Sequence, residues 1–156
     1  MWKKQFARIS FALVLSLATG VGVAASANNM PNDKVRAYVP ISNGTDATLG
    51  NMKLSKSSAS FSKLTGKMQL RYAGVRKPDK GSTEFSGDVY QVMNADAFFK
   101  RNKGKNGFCD QPVRWLTIED SSDSIRVGML SSVDWKKYSP TSTEGCSADT
   151  FSLKGK

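Results

Sequence analysis

The sequence predicts an all-β domain, an antiparallel barrel or barrel-like sandwich of about seven or eight strands, with at most one or two short helices and one disulfide. Three observations predict it. Short segments of period-2 apolar alternation recur, as at Met52 and Leu54, at Ala59 and Phe61, and at Met68, Leu70 and Tyr72; alternation of this kind puts one set of side chains on a buried face and the other in water. Turn residues separate these segments at even intervals. The only two cysteines, Cys109 and Cys146, bracket a hairpin made by Val113–Ile118 and Ile125–Leu130.

Residues 1–27 read as a secretory signal. Lys3, Lys4 and Arg8 form a positive start, Phe11–Ala18 an apolar stretch, and Ala25-Ser26-Ala27 a small-x-small site that predicts cleavage after Ala27. The apolar stretch is shorter than the ~20 residues that span a bilayer. The expected location is therefore periplasmic or secreted, with no transmembrane segment in the mature chain. Residues 28–33 form a polar, loose tail, and 34–156 a single β-rich domain.

Within that domain Lys34–Val39 (K-V-R-A-Y-V) reads as a first strand with Val35, Ala37 and Val39 on one face. Pro40–Ala47 is turn-rich, with Asn43-Gly44 its strongest signal. Three short strands then form a meander through Tyr72, and Ala73–Gly81 is a basic loop. Glu84–Met93 is another strand, and Asn94 is placed to cap a short helix, Ala95–Arg101, pinned by Phe98 and Phe99. Asn102–Gly107 is a second basic loop. Val113–Ile118 has too few polar positions for a half-exposed strand and reads as central. Thr150–Lys154 closes the sheet with Phe151 and Leu153 inside.

Composition narrows function. Three of the 23 basic residues and no acidic residue lie in the first 27, leaving 20 against 13 and a mature charge of +7. Such a balance favours anionic neighbours; an exported chain without a nucleic-acid motif is not expected to bind nucleic acid. The chain has no histidine, which removes Ser/His/Asp and Cys/His nucleophile arrangements and the commonest zinc ligand. An enzyme could still work through lysine or through carboxylates such as Asp88 or Glu119, but nothing in the sequence pairs two carboxylates in a recognisable site. No enzyme activity, cofactor or metal site is expected. Two cysteines in an exported chain predict one disulfide, Cys109–Cys146, with 36 residues between them.

Candidate contacts follow from the loops. Arg76, Lys77 and Lys80 in the first basic loop, and Lys100, Arg101, Lys103 and Lys105 in the second, would form an anion-binding rim if both loops lay at one end of a barrel. Trp115, Trp135 and Tyr138 are candidate ligand or partner contacts, with Tyr72 and Tyr90 as further aromatics for a cavity. Trp135, flanked by charges in Asp134-Trp135-Lys136-Lys137, reads either as a protein-binding anchor or as a lid packed on the open end of the barrel. Glu119, Asp120 and Asp123 read as a solvated hairpin tip.

Asn51–Leu70 (N-M-K-L-S-K-S-S-A-S-F-S-K-L-T-G-K-M-Q-L) and Gly107–Ile118, with Cys146 before a final aromatic, resemble an uncharacterised group of small exported proteobacterial β-domain proteins. These share a strand-turn-strand opening, a C-x-x-P-V-x-[aromatic]-[aliphatic] strand and a closing cysteine. The resemblance implies an exported, disulfide-tied small β-domain and no activity. The small periplasmic lysozyme inhibitors are also disulfide-bearing β-barrels, but their short cysteine motif near the mature N-terminus is absent, and a positive chain suits a basic target poorly. The expected function is an exported binding module, associating with anionic envelope material; the alternative is an inhibitor-type or immunity-type factor that covers another exported protein with its loops.

Overall fold

The computed structural model describes residues 34–78, 85–138 and 145–155. Residues 1–27, which the sequence predicts to be a signal, the expected tail 28–33 and Lys80 lie outside the described residues. Eight strands follow one another as β1 (Arg36–Pro40), β2 (Met52–Ser55), β3 (Ser58–Phe61), β4 (Met68–Arg76), β5 (Gly87–Val92), β6 (Trp115–Asp120), β7 (Ser124–Leu130) and β8 (Gly145–Leu153). Each pairs antiparallel with its sequence neighbours, and β8 returns to β1 through Tyr38 opposite Leu153 and Pro40 opposite Phe151, so the sheet closes into a barrel. Cys109 and Cys146 form the expected disulfide, with Cα atoms 5.2 Å apart.

The two ends of the barrel differ. Up-and-down connections alternate between ends, so the odd-numbered connections (β1–β2, β3–β4, β5–β6, β7–β8) share one end and the even-numbered ones the other. The first end carries two short helices, α1 (Asn43–Thr48) and α2 (Ala95–Arg101); we call it the helix-capped end. The second carries the short turns after Ser55 and Asp120 and the longer connection that follows Arg76, and is the hairpin end. Leu49, Phe98, Cys109 and Val113 are buried beneath the helix-capped end.

Side chains fill the interior. Met52, Leu54, Phe61, Met68, Leu116, Ile125, Val127, Met129 and Phe151 are buried in one apolar cluster, and Phe61 and Phe151 meet with ring centroids 6.3 Å apart. Outward positions on the same strands hold Lys53, Gln69, Arg71, Gln91 and Arg126. This is the reverse of a membrane-spanning barrel, which turns an apolar band to lipid. No described helix is long and apolar enough to cross a membrane.

Three local expectations need correction. The first strand has the opposite face inside: Tyr38 is 2 % exposed while Val35 is 63 % exposed. Tyr38 has more apolar surface to bury than valine or alanine and stands opposite both Met52 and Leu153, which sets the parity. The Pro40–Ala47 stretch is not a plain turn. Ser42 accepts a hydrogen bond from the Thr45 amide at 3.1 Å and starts α1, and the Thr45 hydroxyl donates to Asp149 Oδ1 at 2.6 Å, fixing α1 to β8. Asn94 precedes α2, but its side chain does not cap it; the group is engaged elsewhere.

Candidate functional site

The helix-capped end gathers positive charge. The Asn94 side chain donates to the Lys67 carbonyl at 3.0 Å and accepts from the Gln69 amide at 2.9 Å. At the other end of α2, Asn102 accepts from the Thr65 amide at 2.6 Å and donates to the Thr65 carbonyl at 3.1 Å. Two asparagines thus tie the β3–β4 connection along α2. Arg101 lies over Gly66, whose φ of 88° is a left-handed conformation that favours glycine. The chain leaves α2 through Lys103 and Gly104, both at positive φ, and turns Lys105 back toward Lys63. Lys63, Lys67, Lys100, Arg101, Lys103 and Lys105 therefore share one end of the molecule.

A groove of about 560 Å³ opens between Lys63 and Lys105, lined also by Thr48, Leu64, Phe108 and Cys109 among others. The Phe108 ring rests against Gly44 of α1 and remains half exposed, and Ile41 and Met93 are exposed at the same end. Asp110 also lines the groove. Asp96, the acidic residue of α2, is held by Arg114 in a paired contact at 3.1 and 3.3 Å.

The two basic loops do not form one rim. Arg76, the last residue of β4, and Lys77 after it lie at the hairpin end, and Lys100–Lys105 lie in the β5–β6 connection at the helix-capped end. Strands of about six residues separate the ends by roughly 20 Å, well beyond the ~8 Å over which exposed charges act at physiological salt. Arg76 is also spent inside the protein: it is 8 % exposed, its Nη1 donates to the Trp135 carbonyl at 3.0 Å and its Nη2 to the Tyr138 carbonyl at 3.2 Å.

The three candidate aromatics are brought together on the outside of the barrel. Val89, Thr117 and Leu130 point away from the axis yet are buried, because residues 131–138 fold back over them. Trp115 Nε1 donates to the Ser132 carbonyl at 2.9 Å. The Trp135 ring covers Gly74 at the β4 bulge, within 3.5 Å of where a Cβ would stand. Tyr138 is buried and meets Phe85 edge to face at 4.9 Å between centroids. Trp135 is thus a flap on the side wall, not a lid on an open end.

The hairpin end holds a further cluster, whose members the sequence names only one by one. Asp88 and Asp120 project inward at the mouth with Tyr72, Tyr90, Tyr38 and Arg36 around them. Burial, and then the charge of Asp120, pushes the Asp88 carboxyl above its ordinary value. Burial raises Asp120 too, partly offset by Arg36. Burial, followed by Asp88 and Tyr72, raises Tyr90 strongly. Asp120 is the last residue of β6, not part of a solvated hairpin tip. Its distance from Asp88 in sequence hides the pairing, which only the β5–β6 register reveals; an aspartate at an inward position of an otherwise apolar strand was the available signal. Among the described residues no three metal-ligating side chains gather into a cation site. Comparisons with protein families, with curated proteins and with solved structures find no match to this chain.

Proposed function

We propose that the protein is an exported binding module that takes an anionic, partly apolar ligand of the cell envelope on its helix-capped end. The observation that carries this reading is the groove between Lys63 and Lys105, with exposed Phe108 on its wall and four more cations at the same end of the barrel. Lysines supply mobile, strongly hydrated point charges suited to phosphate or carboxylate, and the aromatic wall suits an attached acyl or ring system. The filled interior supports binding on the surface rather than inside the barrel. The carboxyls at the other mouth disfavour an anion there. The alternative inhibitor-type reading loses its aromatic anchor, since Tyr138 and Trp135 are held against the side wall by Arg76. Export rests on the signal-like first 27 residues and fits the disulfide.

Retention of the mature protein on vesicles of phosphatidylglycerol, and on lipopolysaccharide, tests the proposal. Retention is expected at low salt, falling as salt rises, and weakened in a Lys63→Gln, Lys105→Gln variant. Equal retention by both proteins, or retention indifferent to salt, would overturn it.

A further inference from the structure

The hairpin end has a chemistry of its own. Asp88 stands opposite Ile118 on β6, and Asp120, two residues further on, shares its inward face in the diagonal position, where side chains still reach one another. Beneath them the wall is apolar, with Ile118 and Ile125 buried. Arg36 acts on Asp120, while the charged neighbour of Asp88 is Asp120 itself. Among the described residues, two carboxyls therefore share one guanidinium at this mouth. Tyr90 is 2 % exposed, and its hydroxyl, beside Asp88, has no hydrogen-bond partner among the described residues. On β4 the inward residues are left open: Tyr72, edge-on to Tyr90 at 5.5 Å, is 40 % exposed, and Val75, opposite Asp88, is 45 % exposed.

We infer that this mouth binds an alkylammonium group, with the nitrogen between Asp88 and Asp120 and within reach of the Tyr90 hydroxyl, and the methylene chain along Tyr72 and Val75. An ammonium carries three N–H donors and no acceptor, and the mouth offers three acceptors from three side chains. The Tyr72 ring adds the face that organic cations favour. A calcium ion would want six or more oxygen ligands, and the apolar side of the mouth would go unused. A cation also relieves the mutual repulsion of two carboxyls in a desolvated site. The site lies at the opposite end from the basic groove and does not depend on that reading.

Titration of the mature protein with cadaverine, with a capped lysine (N-acetyl-lysine methylamide) and with 1-pentanol, followed by calorimetry and by tyrosine side-chain resonances, tests the inference. Both amines are expected to bind and to shift Tyr72 and Tyr90, and pentanol to bind at least about tenfold more weakly. Asp88→Asn and Asp120→Asn should each weaken the amines about tenfold or more, and Arg36→Gln should tighten them. Tyr72→Ala, at an exposed position, provides a variant whose folding is not at risk and should weaken both amines. Stronger binding of the capped lysine assigns the site to a partner's lysine side chain; stronger binding of cadaverine assigns it to free amines. The Lys63→Gln, Lys105→Gln variant should bind amines as the unaltered protein does, which separates failure here from failure at the groove. No amine binding at about 10 mM, a millimolar limit that marks only very weak sites, would overturn the inference. So would equal binding of pentanol, or affinity unchanged by both aspartate variants.

Discussion

The Arg76 guanidinium sits 5.1 Å from the centroid of the Tyr138 ring and donates through Nη2 to the carbonyl of the same residue at 3.2 Å. One side chain at the end of β4 thereby holds both the ring and the backbone carbonyl of a residue 62 positions away in sequence, and with it the flap that covers Val89, Thr117 and Leu130.

Arg76→Leu should release that flap. Two charge-assisted hydrogen bonds are lost and two carbonyls lose a buried partner, which costs about 3 kcal/mol. Urea unfolding would show the loss of stability. Tryptophan emission should shift to the red as Trp135 leaves Gly74, and amides of 131–138 should exchange faster while those of β7 inside the barrel stay protected.

The disulfide joins the loop that follows α2 to the start of β8, and Cys109 is part of the buried core. The chain-entropy model assigns a loop of this length about 4 kcal/mol as an upper figure. A Cys109→Ser, Cys146→Ser variant should therefore melt at a clearly lower temperature yet keep a β-type circular dichroism spectrum. Thiol titration of the denatured, unreduced protein should find no free thiol.

The mouth carboxyls make a pH prediction. Asp88 and Asp120 are both raised above their ordinary value, chiefly by burial. As pH climbs from the ordinary carboxyl range toward the raised values, the folded protein keeps protons that the unfolded chain has released. The unfolded state then binds fewer protons, so stability falls across that window. Asp88→Asn removes one such group. Its melting temperature should exceed that of the unaltered protein near neutral pH, and the gap should close near pH 3, below the ordinary aspartate range.

Much of the barrel was legible because its strands face water on one side only. Met52 and Leu54, Ala59 and Phe61, and Ile125, Val127 and Met129 all point inward as their alternation implies. Arg36–Pro40 was harder because K-V-R-A-Y-V alternates acceptably in either parity, and one buried tyrosine outweighed three small apolar residues. α1 was hidden behind Asn43-Gly44, a strong turn signal, although Ser42 supplied a usable cap. The functional regions were less legible for a topological reason. Loops that are close in sequence, such as those of Arg76 and Lys100, fall at opposite ends of an up-and-down barrel. Lys63 and Lys105, or Asp88 and Asp120, are distant in sequence and meet only once register and connection order are known.

Closure through β1 and β8 has a consequence in time. The seam of the barrel joins the first strand made to the eighth, and Tyr38 waits for Leu153 while everything between is synthesised. Until β8 arrives, the edges of β1 and β7 present unpaired backbone groups, the kind of edge that recruits other chains. β8 then settles both edges in one step and brings Cys146 to Cys109. A chain that lacks its eighth strand therefore exposes two unpaired edges at once, and its vulnerability to association is concentrated in that last segment.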